Sequence, residues 1–215
     1  MDHMTERAQP RLVLAPAPGV PEIRLHQASD QVGLWDGGYR SDTPPPFWAF
    51  AWPGGSALAR WLLDHPGEVR GRRVVDAGAG GGLASIAAAK AGAASVTAID
   101  PDPEAVAAIA RNAAENQVNL DVVRGDAFDG TLVTAPGDLL VAGDMFYTRA
   151  MADKVMPVLR RAGARVLVGD PGRGFLPARR FAALASYDVP TRTVVEGTEI
   201  RQTTVWELIT TGERQ

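Results

Sequence analysis

Cysteine is absent from the 215 residues, which excludes disulfides, thiolate metal sites and a cysteine nucleophile. Histidine is scarce: His3, His26 and His65 are scattered, read as surface residues, and leave no metal site to propose. No apolar run approaches the roughly 18 residues of a membrane span, so no membrane partner is expected. Charge of one sign is also missing, with 22 Lys and Arg against 25 Asp and Glu and a net charge of -3. Without a basic tract there is no footprint for a phosphate backbone, and nucleic acid is not an expected partner. The first fifteen residues mix Asp2 and Glu6 with Arg7 and Arg11 and contain no long apolar stretch. They read as neither signal nor transit peptide, and the expectation is a soluble cytoplasmic protein.

What is present fits one domain with a small N-terminal extension; the expected division is 1–40 for the extension and 41–215 for the main domain. At this length roughly 70% of the unfolded chain's surface is buried on folding, enough for a core without staples. Residues 5–40 read as irregular, with short strands at Arg11–Leu14 and Glu22–Gln27. Pro44-Pro45-Pro46 holds an extended conformation and leads into Phe47, Trp48, Phe50 and Trp52, more aromatics than a solvent loop normally carries. From residue 73 strands and helices alternate, the mark of a mostly parallel sheet covered on both faces. The strands fall at Arg73–Asp76, Ser95–Ile99, Leu120–Arg124, Asp138–Ala142 and Arg165–Gly169. The helices fall at Ser56–Asp64, Leu83–Ala91, Glu104–Asn116 and Ala150–Leu159, with Asp102-Pro103 a good helix start. Two β-rich runs at the end, Thr191–Glu196 and Thr203–Ile209, flank Gly197-Thr198-Glu199 and predict an antiparallel hairpin. An α/β chain of this kind matches a Rossmann-like seven-stranded methyltransferase sheet, with helices on both faces and a C-terminal antiparallel hairpin, better than a dinucleotide dehydrogenase.

The chemistry starts at Asp76-Ala-Gly78-Ala-Gly80-Gly81-Gly82, a strand running into a glycine-rich turn and then a helix. Glycines permit positive φ and close approach to a ligand, but nicotinamide proteins use the same device. Two details separate the readings. The sixth position of a G-x-G-x-x-G pattern is Leu83 when counted from Gly78 and Ser85 when counted from Gly80, so the pattern fails in both registers. A carboxylate at Asp76 would repel a pyrophosphate but suits the cationic methionine part of S-adenosylmethionine. Asp100 ends the next strand, where an acid accepts ribose hydroxyls. Asp126, in Gly125-Asp126-Ala127, is placed to accept the adenine amino proton. Three acids at successive strand ends point to the sheet edge where ligands of α/β folds bind. Gly78, Gly80, Gly82, Ala127 and Gly143 complete the expected cofactor contacts.

The fourth strand of the alternation ends in Gly143-Asp144-Met145-Phe146-Tyr147, at the point that faces the transferable methyl. It lacks the Pro-Pro run of enzymes that methylate exocyclic base amines and has Asp-x-x-Tyr instead. Together with Trp52-Pro-Gly-Gly, Gly169-Asp-Pro-Gly-Arg173 and Thr203-Thr-Val-Trp206, this resembles the seven-strand protein lysine methyltransferases, and most nearly the electron-transfer flavoprotein beta subunit lysine methyltransferase family. The resemblance spans residues 40–209. It implies methyl transfer from S-adenosylmethionine to lysine ε-amines of that subunit, leaving S-adenosylhomocysteine. With no presequence to read, a bacterial-type cytoplasmic version is expected, and a monomer. The resemblance also places Trp52 over the cofactor.

Read from the residues, Asp144 and Tyr147 are the catalytic candidates. Asp144 can accept an N–H bond from the entering amine and aim its lone pair; Tyr147 adds a polar contact or an aromatic wall. Phe146, Trp48 and Trp206 can ring a methylated ammonium, although core packing accounts for them as well. The competing readings are a small-molecule N-methyltransferase, an enzyme acting on another protein such as a ribosomal protein, and a cofactor-binding module without catalysis.

Overall fold

The computed structural model of the chain describes residues 10–29, 45–191 and 196–210. Two strands, β1 (Leu12–Ala17) and β2 (Val20–Ala28), form an antiparallel hairpin. They are longer than the two short strands expected there. Helix α1 (Pro53–Asp64) follows, then β3 (Arg73–Ala77), α2 (Leu83–Lys90), β4 (Ser95–Asp100), α3 (Pro103–Glu115), β5 (Asp121–Arg124), β6 (Leu139–Gly143), α4 (Arg149–Arg161) and β7 (Arg165–Asp170). The chain closes with β8 (Phe181–Pro190) and β9 (Ile200–Leu208). The main sheet runs β5-β4-β3-β6-β7-β9-β8. Strands β3 to β7 are parallel, and β9 enters antiparallel between β7 and β8.

The apolar strands divide their side chains between the two faces, as a period of two requires. On β6, Leu139 and Val141 join the core beneath α1 and α2, while Leu140 and Ala142 join the core beneath α4. Helix α2 has no polar face because Leu83 to Ala88 are all buried, wedged between sheet and α1. The cap expected at Asp102 is present, its Oδ1 accepting the Glu104 N–H at 2.9 Å.

The N-terminal hairpin is tied into this body. Val20, Ile23 and Leu25 enter the main core, and Asn112 of α3 with Asn116 just past its end substitute for a neighbouring strand. Asn116 Oδ1 accepts the Arg24 N–H at 3.1 Å and its Nδ2 donates to the Arg24 carbonyl at 2.6 Å; Asn112 Oδ1 accepts the His26 N–H at 2.9 Å. Each gives a backbone group of β2 a side-chain partner.

The C-terminal hairpin is real, but its first strand is not the one expected. Strand β9 pairs with Phe181–Pro190. Of the expected strand at 191–196, residues 192–195 lie outside the described residues, and Thr191 and Glu196 are not in a strand. The alternation of Phe181–Pro190 is mostly exposed, as suits an edge strand, so its hydrophobic signal is faint. Among the described residues no helix is long and apolar enough to cross a membrane.

Candidate active site

A cavity of about 490 Å³ opens at the carboxyl ends of β3, β4, β5 and β6, within the roughly 300–1,000 Å³ range of sites for organic ligands. The turn after β3 forms its floor. Gly78 and Gly80 have φ of +76° and +55°, which side chains rarely adopt. A Cβ on Gly78 would also collide with the Met145 side chain, and one on Gly81 would lie 2.9 Å from the Trp48 carbonyl. Gly81 is therefore needed for closeness to backbone and Gly78 and Gly80 for torsion, since the end of the Met145 side chain can move aside. Gly82 does not reach the cavity: it caps α2 at φ +83° and packs against Ile109, and Gly81 takes the lining position instead.

The three strand-end acids converge on this cavity. Asp76 is buried and accepts the Ser85 hydroxyl at 2.6 Å; burial pushes its carboxyl up to about 6, with the Ser85 hydrogen bonds opposing the shift. Asp100 Oδ2 accepts the Gly80 N–H at 2.8 Å and Oδ1 the Asp102 N–H at 3.0 Å, so one side chain fixes both the glycine turn and the start of α3. Burial raises its pKa, and those two bonds resist the rise. Asp126 accepts the Phe128 N–H at 2.9 Å and pairs with Lys154 of α4. Ala127, Gly143 and Trp52 line the same space.

Asp144 sits at the end of β6, buried, with φ +58°. Aspartate tolerates this left-handed conformation better than most residues. Its position is set by glycines from three elements. A Cβ on Gly54 would lie 2.6 Å from Asp144 Oδ2, one on Gly143 would lie 2.8 Å from the Gly55 nitrogen, and one on Gly169 would overlap the Gly54 carbonyl. Bare backbone at these points lets the first turn of α1 rest on the ends of β6 and β7. The Gly55 N–H then donates to Asp144 Oδ2 at 3.0 Å, and the helix N-terminus adds a favourable partial charge.

The opposite oxygen of Asp144 meets Arg173, whose Nη2 lies 3.3 Å from Oδ1 and 2.7 Å from Oε1 of buried Glu196. The Gly169-Asp-Pro-Gly-Arg173 motif explains this placement. Asp170 Oδ1 accepts the Gly172 and Arg173 N–H groups at 2.7 and 3.2 Å, folding the chain back so that the guanidinium lies over the Trp52 ring at 5.7 Å. Burial pushes the Asp144 carboxyl up to about 6, with Arg173 and the Gly55 N–H pulling it down. Tyr147 stands at the cavity mouth, 46% exposed. Phe146 is fully buried against Phe181, and Trp206 packs against the same core; neither lines the cavity, whereas Trp48 does.

Sequence reasoning did not single out Arg173, Glu196 or Lys154. Arg173 had a visible signal in its motif, since an Asp-Pro-Gly turn after a buried strand must deliver the next side chain somewhere. Glu196 and Lys154 had none, because their relevance depends on which elements pack beside them.

Comparison with known proteins agrees with this geometry. The sequence profile of the family described as ribosomal protein L11 methyltransferase (PrmA) matches residues 61–169. The electron transfer flavoprotein beta subunit lysine methyltransferase of Xenopus laevis is 39% identical over 200 residues, covering 88% of this chain and 80% of that protein. The Homo sapiens protein of the same name is 36% identical over 198 residues, covering 86% and 74%. Among solved structures, the T. thermophilus 16S rRNA methyltransferase superposes with a TM-score of 0.58 at 18% identity, over 95% of this chain and 53% of that one. Magnesium protoporphyrin IX methyltransferase from Synechocystis, with bound SAM, gives 0.54 at 19% identity over 72% and 78%. At such identities these likenesses show the fold alone. The sequence identity, the coverage and the seven-stranded sheet together establish that this chain belongs to the electron transfer flavoprotein beta subunit lysine methyltransferase family.

Proposed function

We propose that the protein transfers methyl groups from S-adenosylmethionine to lysine ε-amines of the electron-transfer flavoprotein beta subunit, as a cytoplasmic monomer. The observation that carries the reading is Asp144, a buried carboxylate held at the β6 end beside the glycine turn, with one oxygen fixed by α1 and the other held by a displaceable cation.

The cavity fits the cofactor on its own features. The bare backbone of Gly78, Gly80 and Gly81 lines the cavity, where the positive φ of Gly78 and Gly80 excludes ordinary side chains. Asp76 is a nearly fully buried carboxylate that accepts the Ser85 hydroxyl and pairs with no cation among the described residues; it would hold the methionine ammonium, Asp100 the ribose hydroxyls and Asp126 the adenine edge, with Trp52 closing one wall. When bound, the cofactor supplies an electrophilic methyl on a sulfonium.

The chain's own residues manage the amine. A lysine arrives protonated, with a pKa of about 10.4. Asp144, at about 6, is too weak a base to keep that proton: the mismatch of about 4 units costs on the order of 6 kcal/mol. The proton therefore leaves to water through the open mouth. Asp144 then accepts an N–H bond, aims the lone pair, and offsets the positive charge that grows on nitrogen as the bond forms. Positioning of this kind is worth several orders of magnitude in rate. To reach Asp144 the amine displaces Arg173, which keeps Glu196 as its partner. Tyr147 forms one wall of the entrance.

The test is Asp144→Ala with tritiated cofactor and purified flavoprotein. Transfer to the beta subunit is expected to be lost while cofactor affinity changes little. Near-normal turnover would remove Asp144 from this role, and label confined to small amines would move the substrate away from protein.

A further inference from the structure

Arg173 stands where a substrate amine has to arrive, and its guanidinium touches three groups that suit an alkylammonium equally well. Nη2 lies 2.7 Å from Glu196 Oε1 and 3.3 Å from Asp144 Oδ1, and the guanidinium carbon is 5.7 Å from the centre of the Trp52 ring. Two carboxylates and an aromatic face are the elements of an ammonium site. Each wall has an anchor other than Arg173. Trp52 Nε1 donates to the Phe47 carbonyl at 2.8 Å, and the Gly55 N–H holds Asp144 Oδ2 at 3.0 Å. Arg201 Nη2 lies 3.3 Å from Glu196 Oε2 and donates to the Glu196 carbonyl at 3.0 Å.

The guanidinium is held unevenly within this box. A charge-assisted N–H···O bond is usually about 2.7–2.9 Å long; the Glu196 contact meets that length and the Asp144 contact does not. The buried Nε–H has no acceptor among the described residues. Arg173 is half-buried and lines the cleft beside buried Asp144. It can turn about its Glu196 anchor and uncover Asp144 without losing its counter-ion. Building on the protein-lysine reading above, we propose that Arg173 is a gate on the acceptor site: in the free enzyme its guanidinium holds the place of the amine, excluding free alkylamines and yielding to a lysine delivered by a docked protein. The discrimination is one of effective concentration. Every amine has to break the Asp144–Arg173 contact, which lowers its occupancy about ten- to hundredfold. A lysine fixed at the cleft by a docked protein has an effective concentration above what dissolved amines reach, and only it meets that cost.

Two variants test the gate at about pH 8.5, where Asp144 is largely ionised. Arg173→Ala empties the box, and its transfer of tritiated methyl to n-butylamine is expected to exceed that of wild type by about tenfold or more. Arg173→Lys puts an amine in place of the guanidinium, and this protein is expected to methylate itself at position 173. There the nitrogen lone pair forms the new N–C bond, the C–S bond of the cofactor breaks with its electrons going to sulfur, and the proton released from nitrogen passes to water. Peptide mass spectrometry locates the added methyl, and a first-order rate independent of protein concentration shows transfer within one chain. Cofactor binding by calorimetry establishes that each variant is folded; if Arg173→Ala is not, Arg173→Lys decides alone. Butylamine transfer by folded Arg173→Ala no better than by wild type overturns the gate. So does an Arg173→Lys protein that labels the flavoprotein but not itself. Self-methylation of Arg173→Lys, when wild type leaves the flavoprotein unlabelled, supports the place given to Arg173 and overturns the flavoprotein reading instead.

Discussion

Replacing Arg173 by Gln removes the cation next to Asp144 while nearly conserving side-chain length, and its consequence is a displaced pH profile. Nη2 lies 3.3 Å from Asp144 Oδ1; at an effective dielectric of about 20, a unit charge pair at that distance interacts by roughly 5 kcal/mol. Part of this is drawn off by Glu196, 2.7 Å from the same nitrogen, and carboxylates beside arginine are typically lowered by about 1–3 units. With Arg173 present, burial still holds the Asp144 carboxyl at about 6. Without it, the carboxyl keeps the burial and the Glu196 repulsion and rises by at least about one unit. In the proposed role Asp144 works as the carboxylate, so activity is expected to be retained above its pKa and lost as pH falls through it. At pH 6 the ionised fraction drops from about one-half to about one-tenth, a roughly fivefold loss, whereas near pH 8.5 both proteins are almost fully ionised. The assay is kcat/KM for methyl transfer between about pH 5.5 and 9, read as the wild-type to variant ratio so that lysine ionisation cancels. A ratio that stays constant with pH would refute the electrostatic coupling and leave Arg173 a merely structural residue.

Three further outcomes follow from the structure. Asp76→Asn is expected to stabilise the cofactor-free protein while abolishing cofactor binding. A carboxyl raised to about 6 imposes a penalty that is absent below about pH 4, grows between 4 and 6 and is complete above, worth roughly 3 kcal/mol less about 1 for a weakened Ser85 bond. Calorimetry at about pH 8 should show a Tm higher by roughly 4–8 °C, and at about pH 4 no gain; a lower Tm at pH 8 would contradict the burial argument. Gly54→Ala places a Cβ 2.6 Å from Asp144 Oδ2 and is expected to cost about 3 kcal/mol, lowering Tm by roughly 6–12 °C. Gly55→Ala meets nothing within 4 Å and should be tolerated in the same melting experiment.

The sequence by itself determined the alternating β/α order, because short Val-, Leu- and Ile-rich runs between turn signals favour strands, and Asp102-Pro103 favours a helix start. It also located the glycine turn, the three acids at Asp76, Asp100 and Asp126, and Asp144, since strand ends in a parallel sheet must share an edge. Local chemistry was sufficient for these. Tertiary structure decided the rest. That Gly82 serves Ile109 rather than the cavity depends on where α3 packs. That Phe181–Pro190 pairs with β9 depends on strand order, to which an exposed edge strand contributes almost no sequence signal. Most of all, the network around Asp144 joins Gly54 and Gly55 of α1, Arg173 of the loop after β7, and Glu196 before β9. These positions are far apart in sequence, and their charges and bare backbone acquire meaning only when the fold brings them within hydrogen-bonding reach.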